Sequence, residues 1–246
     1  MQEYINEVAW SKMCSFLSEH KEQLYLVGCK NFFEAIYWIT RTGAQWRMLP
    51  QEYGKWNSIF TRFNRWSKKG IFADLLTFCA GDPDLEYLMI DATIVRAHAC
   101  ASGYGDQEAE GLGRSKGGFS TKIHAKVDAL GNPLKFMLTP GQASDVVQAK
   151  ALLEVVTDSY VLGDKGYDSK ALREFIKQQG GTPVIPCKSN AISPEKYDKD
   201  IYKERNVIEC FFSKIKHFRR VFSRFDKSAR NFMSFLSFVG VLIWLR

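Results

Sequence analysis

The chain has 246 residues, 46% of them apolar and 14% aromatic, enough to bury a sizeable core in one large domain or in a small domain beside an ordinary one. No uncharged apolar run reaches the roughly 18 residues a membrane helix needs. The opening MQEYINEVAW has neither the basic region nor the apolar stretch of a secretion signal, so a cytoplasmic protein without a membrane partner is expected. The net charge is +7, and Lys203 to Arg230 carries nine Lys/Arg against three acids, so nearly the whole excess lies in one segment. Such a basic stripe suits a polyanion, although a solvated helix face gives the same pattern. Six cysteines (Cys14, Cys29, Cys79, Cys100, Cys187, Cys210) form no CxxC pair, and four histidines (His20, His98, His124, His217) show no ligand spacing. Reduced, mostly buried thiols fit better than a disulfide frame or a zinc site.

Residues 1–80 read as helical, with apolar spacing over Ala9–Leu17, Asn31–Ile39 and Asn57–Phe78 and with Trp46, Trp56 and Trp66 as bulky core. In WNSIFTRFNRWSKKG, Ile59, Phe60, Phe63 and Trp66 point inward. That leaves Thr61, Arg62, Asn64, Arg65, Lys68 and Lys69 outside, as in the recognition helix of a helix-turn-helix-like unit or in a plain amphipathic helix. From residue 84 the texture becomes α/β. LEYLMIDATIVRA reads as a buried strand, and residues 101–120 as a glycine-rich loop. TKIHAKVDA alternates with period two, placing Ile123, Ala125 and Val127 on one face, and LKFMLTP returns as the second strand of a hairpin. A helix capped by Ser144 or Asp145 runs to about Asp158. YVLGDKGY is a short strand ending in a turn, a helix capped by Asp168 or Ser169 follows, and TPVIPC is another strand. One long C-terminal helix then carries Tyr202 to Phe222, and Phe232–Leu245 forms a buried helix. The order predicts a mixed sheet flanked by helices, which matches an RNase H-like fold (residues 81–246) behind a small all-helical domain (residues 1–80).

Tyr202, Arg205, Glu209 and Lys216 stand at i, i+3, i+7 and i+14. At about 100° per residue they fall within roughly 60° of one another. Val207, Ile208, Phe211, Ile215, Phe218 and Phe222 take a different side. Asp91 ends the apolar run MID, and Asp164 stands where VLGDKGY leaves its strand. Unpaired carboxylates converging at a sheet edge repel and raise one another's pKa, and divalent cations relieve that repulsion. Each acid also has an ordinary reading: Asp91 bonded to a turn, Asp164 a turn former before Gly166, Glu209 an i, i+4 partner of Arg205. Asp128 fits a hairpin, and Asp145 and Asp168 fit helix caps.

At these residues the chain resembles insertion-sequence transposases of the IS4/IS5 type, which carry a DDE catalytic core. The Tyr202, Arg205, Glu209, Lys216 spacing matches that family's C-terminal signature, GDKGY (Asp164, Gly166, Tyr167) its second-acid motif, and IDATIVRAH (Asp91) its first. The likeness extends to WITRTGAQWRMLP and so covers essentially the whole chain. Only 44 residues separate Asp164 from Glu209, leaving no room for the β-rich insertion of larger relatives. The resemblance implies two Mg²⁺ ions, replaceable by Mn²⁺, held by Asp91, Asp164 and Glu209. It implies cleavage at the terminal inverted repeats of a mobile element and joining of the freed 3′-OH to target DNA, by a homodimer in the bacterial cytoplasm at the nucleoid. Arg205 and Lys216 are expected on phosphates and Tyr202 on a displaced nucleotide. Lys165, Lys122, Lys126, Arg219 and Arg220 are expected on the backbone, and Arg62, Asn64 and Arg65 on bases. The rivals are a catalytically inactive, transposase-derived DNA-binding regulator, an RNase H-like nuclease without strand transfer, and a structural protein with an incidental basic helix.

Overall fold

Among the described residues, helical periodicity in the first eighty gives the α-helices α1 (Glu7–Glu19), α2 (Cys29–Thr42), α3 (Trp56–Lys69) and α4 (Ile71–Cys79). The structure is a computed structural model that describes residues 4–19, 28–115, 117–154, 156, 158–189 and 195–246. His20 lies outside the described residues. The single helix expected over 57–78 is split at Gly70, whose φ of 77° ends α3 in a left-handed cap while its N–H donates to the Ser67 and Trp66 carbonyls.

The sheet is built from β1 (Tyr87–Ala97), β2 (Gly113–Ser115), β3 (Gly118–Val127), β4 (Pro133–Pro140), β5 (Tyr160–Leu162), β6 (Thr182–Val184) and β7 (Ser223–Arg224). Its main order is β4-β3-β1-β5-β6, with β2 pairing β3 and β7 pairing β1. The β4-β3-β1 pairs are antiparallel, and β1-β5-β6 are parallel. This is the RNase H-like mixed sheet that the chain order predicted. Helices α5 (Asp145–Leu153) and α6 (Lys170–Gln178) cover the face carrying Leu88 and Ile90. The opposite face, with Met89, Ile123, Ala125 and Val127, packs under α8 (Asn206–Lys216) and α10 (Ala229–Trp244).

Helix α10, the buried C-terminal helix, sits between α4 and β4, so one apolar core runs from the N-terminal helices into the sheet. Phe235 stacks on Phe63 at 4.5 Å between ring centroids, and Phe238 on Phe33 at 5.9 Å. Burying such a ring contributes roughly 1.5–3 kcal/mol. Gly240 permits the close approach: a Cβ there would lie 2.9 Å from Leu76 and 3.2 Å from Phe136 and Pro133.

Other expectations change too. Within the supposed loop 101–120, Gly113–Ser115 adds to the sheet as β2. Helix α5 ends at Leu153, with Glu154 at φ 46°, short of Asp158. On β3, Lys122 and His124, opposite the face of Ile123, Ala125 and Val127, are buried as well, because α5 covers their side. The long C-terminal helix is three pieces: α7 (Lys199–Lys203), α8 and α9 (Arg219–Phe222). After the break at Phe218, Phe222 is 60% exposed and not core.

Candidate active site

The β1–β5 ladder pairs Met89 with Leu162, and Asp91 and Asp164 each stand two residues further along. Side chains alternate faces along a strand, so the even step puts Asp91 on the Met89 face, and Asp164 follows the end of the neighbouring strand closely enough for its charge to act on Asp91. The backbone stays extended at Asp164 (φ −75°, ψ 175°), and its Oδ1 accepts the Gly166 N–H at 2.8 Å. Asp91 Oδ1 accepts the Ala92 N–H at 2.7 Å. Burial pushes the Asp91 carboxyl above the usual carboxylate range and the Asp164 charge adds to the rise, while the Ala92 amide and Arg205 pull against it.

Glu209 arrives from the first turn of α8, whose Ile208, Phe211 and Ile215 seat the helix in the core against β1. The link between the acids is Arg205. Its Nη1 donates to Asp91 Oδ2 at 2.9 Å, and its Nη2 donates to Glu209 Oε1. Arg205 is 17% exposed and Asp91 19%. Burial works against the guanidinium charge, but Asp91, Tyr202, Glu209 and Asp164 outweigh it and raise the Arg205 pKa. Tyr202 belongs to α7, and the chain passes to α8 through i→i+3 bonds, Arg205 N–H to the Tyr202 carbonyl at 3.1 Å among them. Side chains three apart eclipse in such a turn. Tyr202 and Arg205 therefore share a side despite the helix break, with the guanidinium 5.9 Å from the Tyr202 ring centroid.

Two of the ordinary readings of the acids are thus present, the Asp164 turn bond and the Glu209–Arg205 pair, whereas Asp91 lies inside β1 and accepts the Ala92 N–H of its own strand and not a turn. Among the described residues no three His, Cys, Asp or Glu side chains form a metal-binding group. Asp91 and Asp164 are adjacent hard oxygen donors of the kind Mg²⁺ accepts. They fit a divalent cation, with the guanidinium lying between Asp91 and Glu209.

The remaining candidates divide. Lys165 is exposed beside Asp164, where Asp164, Lys165, Gly166, Lys188 and Ser189 line a cleft of about 340 Å³. Lys216 is half-buried at the end of α8. At 1.5 Å per residue its backbone lies about 10 Å along the axis from that of Glu209. Asn64 is half-buried, and Arg65 and Arg219 are exposed. Arg62, by contrast, turns inward: its guanidinium lies 4.6 Å from the Phe32 ring and 4.7 Å from Trp66, and it donates to Cys29 Sγ. Arg220 is buried, fork-bonded to Asp226 at 2.9 and 3.1 Å, and donates to the Ala44 carbonyl at 2.9 Å. Lys122 is tied to the Ala143 carbonyl and to Asp145 at 2.8 Å, and Lys126 to the Leu153 carbonyl. Nor does Asp145 cap a helix with its side chain; Asp168 holds Arg173 and the Lys188 N–H.

Sequence reasoning missed two features. Lys188, which follows β6, joins Lys165 beside Asp164; adjacent parallel strands end at one edge, and that was the available signal. Tyr167 is buried behind the aspartates, its hydroxyl without a hydrogen-bond partner among the described residues. Burial, and then the charges of Asp145, Asp91 and Asp164, hold its phenol protonated far above the ordinary range.

A family model described as a transposase DDE domain matches residues 82–243, a span that includes all three acids, and one described as a putative transposase of the IS4/5 family matches residues 5–76. The chain belongs to the IS4/5-type DDE transposases. It is 40% identical over 129 residues to a putative transposase for insertion sequence element IS6501 of Brucella ovis, covering 52% of this chain and 99% of the relative. It is 29% identical over 135 residues to one for element IS402 of Burkholderia cepacia, covering 50% of this chain and 62% of that relative. Among solved structures it is similar to a piggyBac transposase synaptic complex with hairpin DNA (TM-score 0.40, 12% identity, 78% of this chain and 50% of that one). A Mos1 transposase paired-end complex matches at TM-score 0.30 and 12% identity, over 78% and 75% of the two chains. DDE transposases act in DNA transposition. No helix among the described residues is long and apolar enough to cross a membrane.

Proposed function

We propose that this transposase binds the terminal inverted repeats of its insertion sequence, cleaves the DNA at the element ends and joins the freed 3′-OH to target DNA. The observation that supports this reading is that Asp91 and Asp164 each stand two residues beyond the last pair of the parallel β1–β5 ladder, with Glu209 tied to Asp91 through Arg205. Both reactions are in-line displacements at phosphorus, with water or a 3′-OH as nucleophile, so the protein's task is positioning and charge neutralisation. Asp91, Asp164 and Glu209 would hold two Mg²⁺ ions, or Mn²⁺ in their place, which when bound activate the nucleophile and stabilise the leaving oxygen. Asp91 must be ionised to serve, and the Ala92 amide and Arg205 favour that form against its burial.

Arg205 offers a bidentate fork to a phosphate near the scissile bond, Lys216 a point charge to a more distant one, and Lys165 a charge at the Asp164 edge. Tyr202, half-exposed beside Arg205, presents a ring on which a nucleotide can stack. Residues 1–80 are the DNA-binding domain in this reading and residues 81–246 the catalytic one. Arg65 and half-buried Asn64 of the first domain and exposed Arg219 of the second are DNA contacts in this reading; Arg62 and Arg220, packed as they are, support the fold instead. Two ends must be brought together, so a homodimer assembles on DNA.

The guanidinium between Asp91 and Glu209 favours a second reading, a catalytically inactive regulator that only binds the ends. Metal-dependent nicking of a duplex carrying the element's own terminus decides between them: nicking supports the enzyme, and binding without nicking supports the regulator.

A further inference from the structure

The atoms that hold Arg205 are the ones a cation would need. Its Nη1 takes Asp91 Oδ2 at 2.9 Å and its Nη2 takes Glu209 Oε1, while Asp164 stands within electrostatic reach. A divalent ion entering beside Asp91 with the guanidinium still in place would meet a positive charge at contact distance in a half-buried site. Arg205 sits in the turn between α7 and α8, so its side chain can swing without displacing a packed helix. A phosphate offers its fork the same bidentate geometry as a carboxylate.

We propose that Arg205 is a built-in counter-ion that holds the carboxylates closed to divalent cations until a DNA phosphate draws the guanidinium away, so that metal and DNA load cooperatively. This rests on the assignment of Asp91 and Glu209 as metal-holding acids. DNA relieves the competition for Asp91 and Glu209, and by linkage the metal, once bound, releases Arg205 for the phosphate and tightens DNA binding by the same factor.

The test reads Mn²⁺ binding directly, by electron paramagnetic resonance of the free ion, without reference to cleavage. For the wild-type chain, adding a duplex of the element's terminus should tighten Mn²⁺ binding about tenfold, a typical coupling for linked sites. Without DNA, Arg205→Gln should bind Mn²⁺ about tenfold more tightly than wild type and gain nothing from the duplex. Arg205→Lys, whose single ammonium cannot fork between Asp91 and Glu209, should fall between them. It also serves if the Gln variant fails to fold. Equal or weaker Mn²⁺ binding by both variants, in a protein whose Mn²⁺ is lost in Asp91→Asn, overturns the counter-ion role and leaves the carboxylate assignment standing. No Mn²⁺ binding by any form, with or without DNA, overturns the assignment itself and the counter-ion role with it.

Discussion

Replacing Arg220 with Met should cost stability and leave DNA affinity at a given fraction folded unchanged. The side chain is 5% exposed, forks onto Asp226 at 2.9 and 3.1 Å, donates to the Ala44 carbonyl at 2.9 Å and lies 4.9 Å from the Phe235 ring. Methionine retains much of the packing volume but strands Asp226, which is itself buried. Breaking one partner of a buried pair costs about 3–5 kcal/mol. For a chain of this size that lowers Tm by roughly 6–20 °C. Urea unfolding gives the free energy, and Arg220→Met with Asp226→Leu should recover most of it, because the desolvated charge is gone. A loss below about 1 kcal/mol in the single variant would refute the clamp. So would a DNA-binding salt slope reduced by about one unit, the signature of a lost phosphate contact.

Lys216→Ala should give the opposite result, with unchanged stability and a salt slope flatter by about one unit; an unchanged slope would remove Lys216 from the phosphate contacts. His124 makes part of the stability pH-dependent. It is fully buried against Thr139, and burial lowers its pKa to about 4, so the folded state keeps it neutral while the unfolded chain takes up a proton near pH 6.5. The unfolded state binds more protons between those values, so this contribution is intact above pH 6.5 and is lost as pH falls, by about 2 kcal/mol from pH 7 to pH 5. Urea denaturation of His124→Asn at the two pH values should show that increment missing, and an identical pH dependence to wild type would contradict it.

How much of this was legible in the sequence follows from which residues obey a local rule. Ile123, Ala125 and Val127 alternate because one sheet face is core, and the fold could be read from that and from the order of strands and helices. The acids stood out because Asp91 interrupts an apolar strand and Glu209 falls on a fixed spacing. What escaped is what local periodicity does not carry. Arg62 turns inward because Phe32 of α2 meets its guanidinium beside Trp66, its i+4 neighbour on α3; the contact with α2 is one its own helix does not announce. Lys122 and His124 are buried because α5, twenty residues on, covers them. The charge run from Lys203 to Arg230 overstated the surface available to DNA. Arg220 and Arg224 lie inside it; Arg224 is fully buried, with bonds to the Glu110, Asp226 and Lys227 carbonyls and to Thr121. The break between α7 and α8 was hidden because a 3-10 turn preserves the i, i+3 relation of Tyr202 to Arg205.

The most direct measurement is nicking of a duplex carrying the element's terminus by Asp91→Asn, Asp164→Asn and Glu209→Gln, each beside wild type with Mg²⁺ and with chelator. The account predicts wild-type cleavage that chelator abolishes, and end binding without cleavage in all three variants. Full nicking by any one of them, or wild-type cleavage indifferent to chelator, would contradict it.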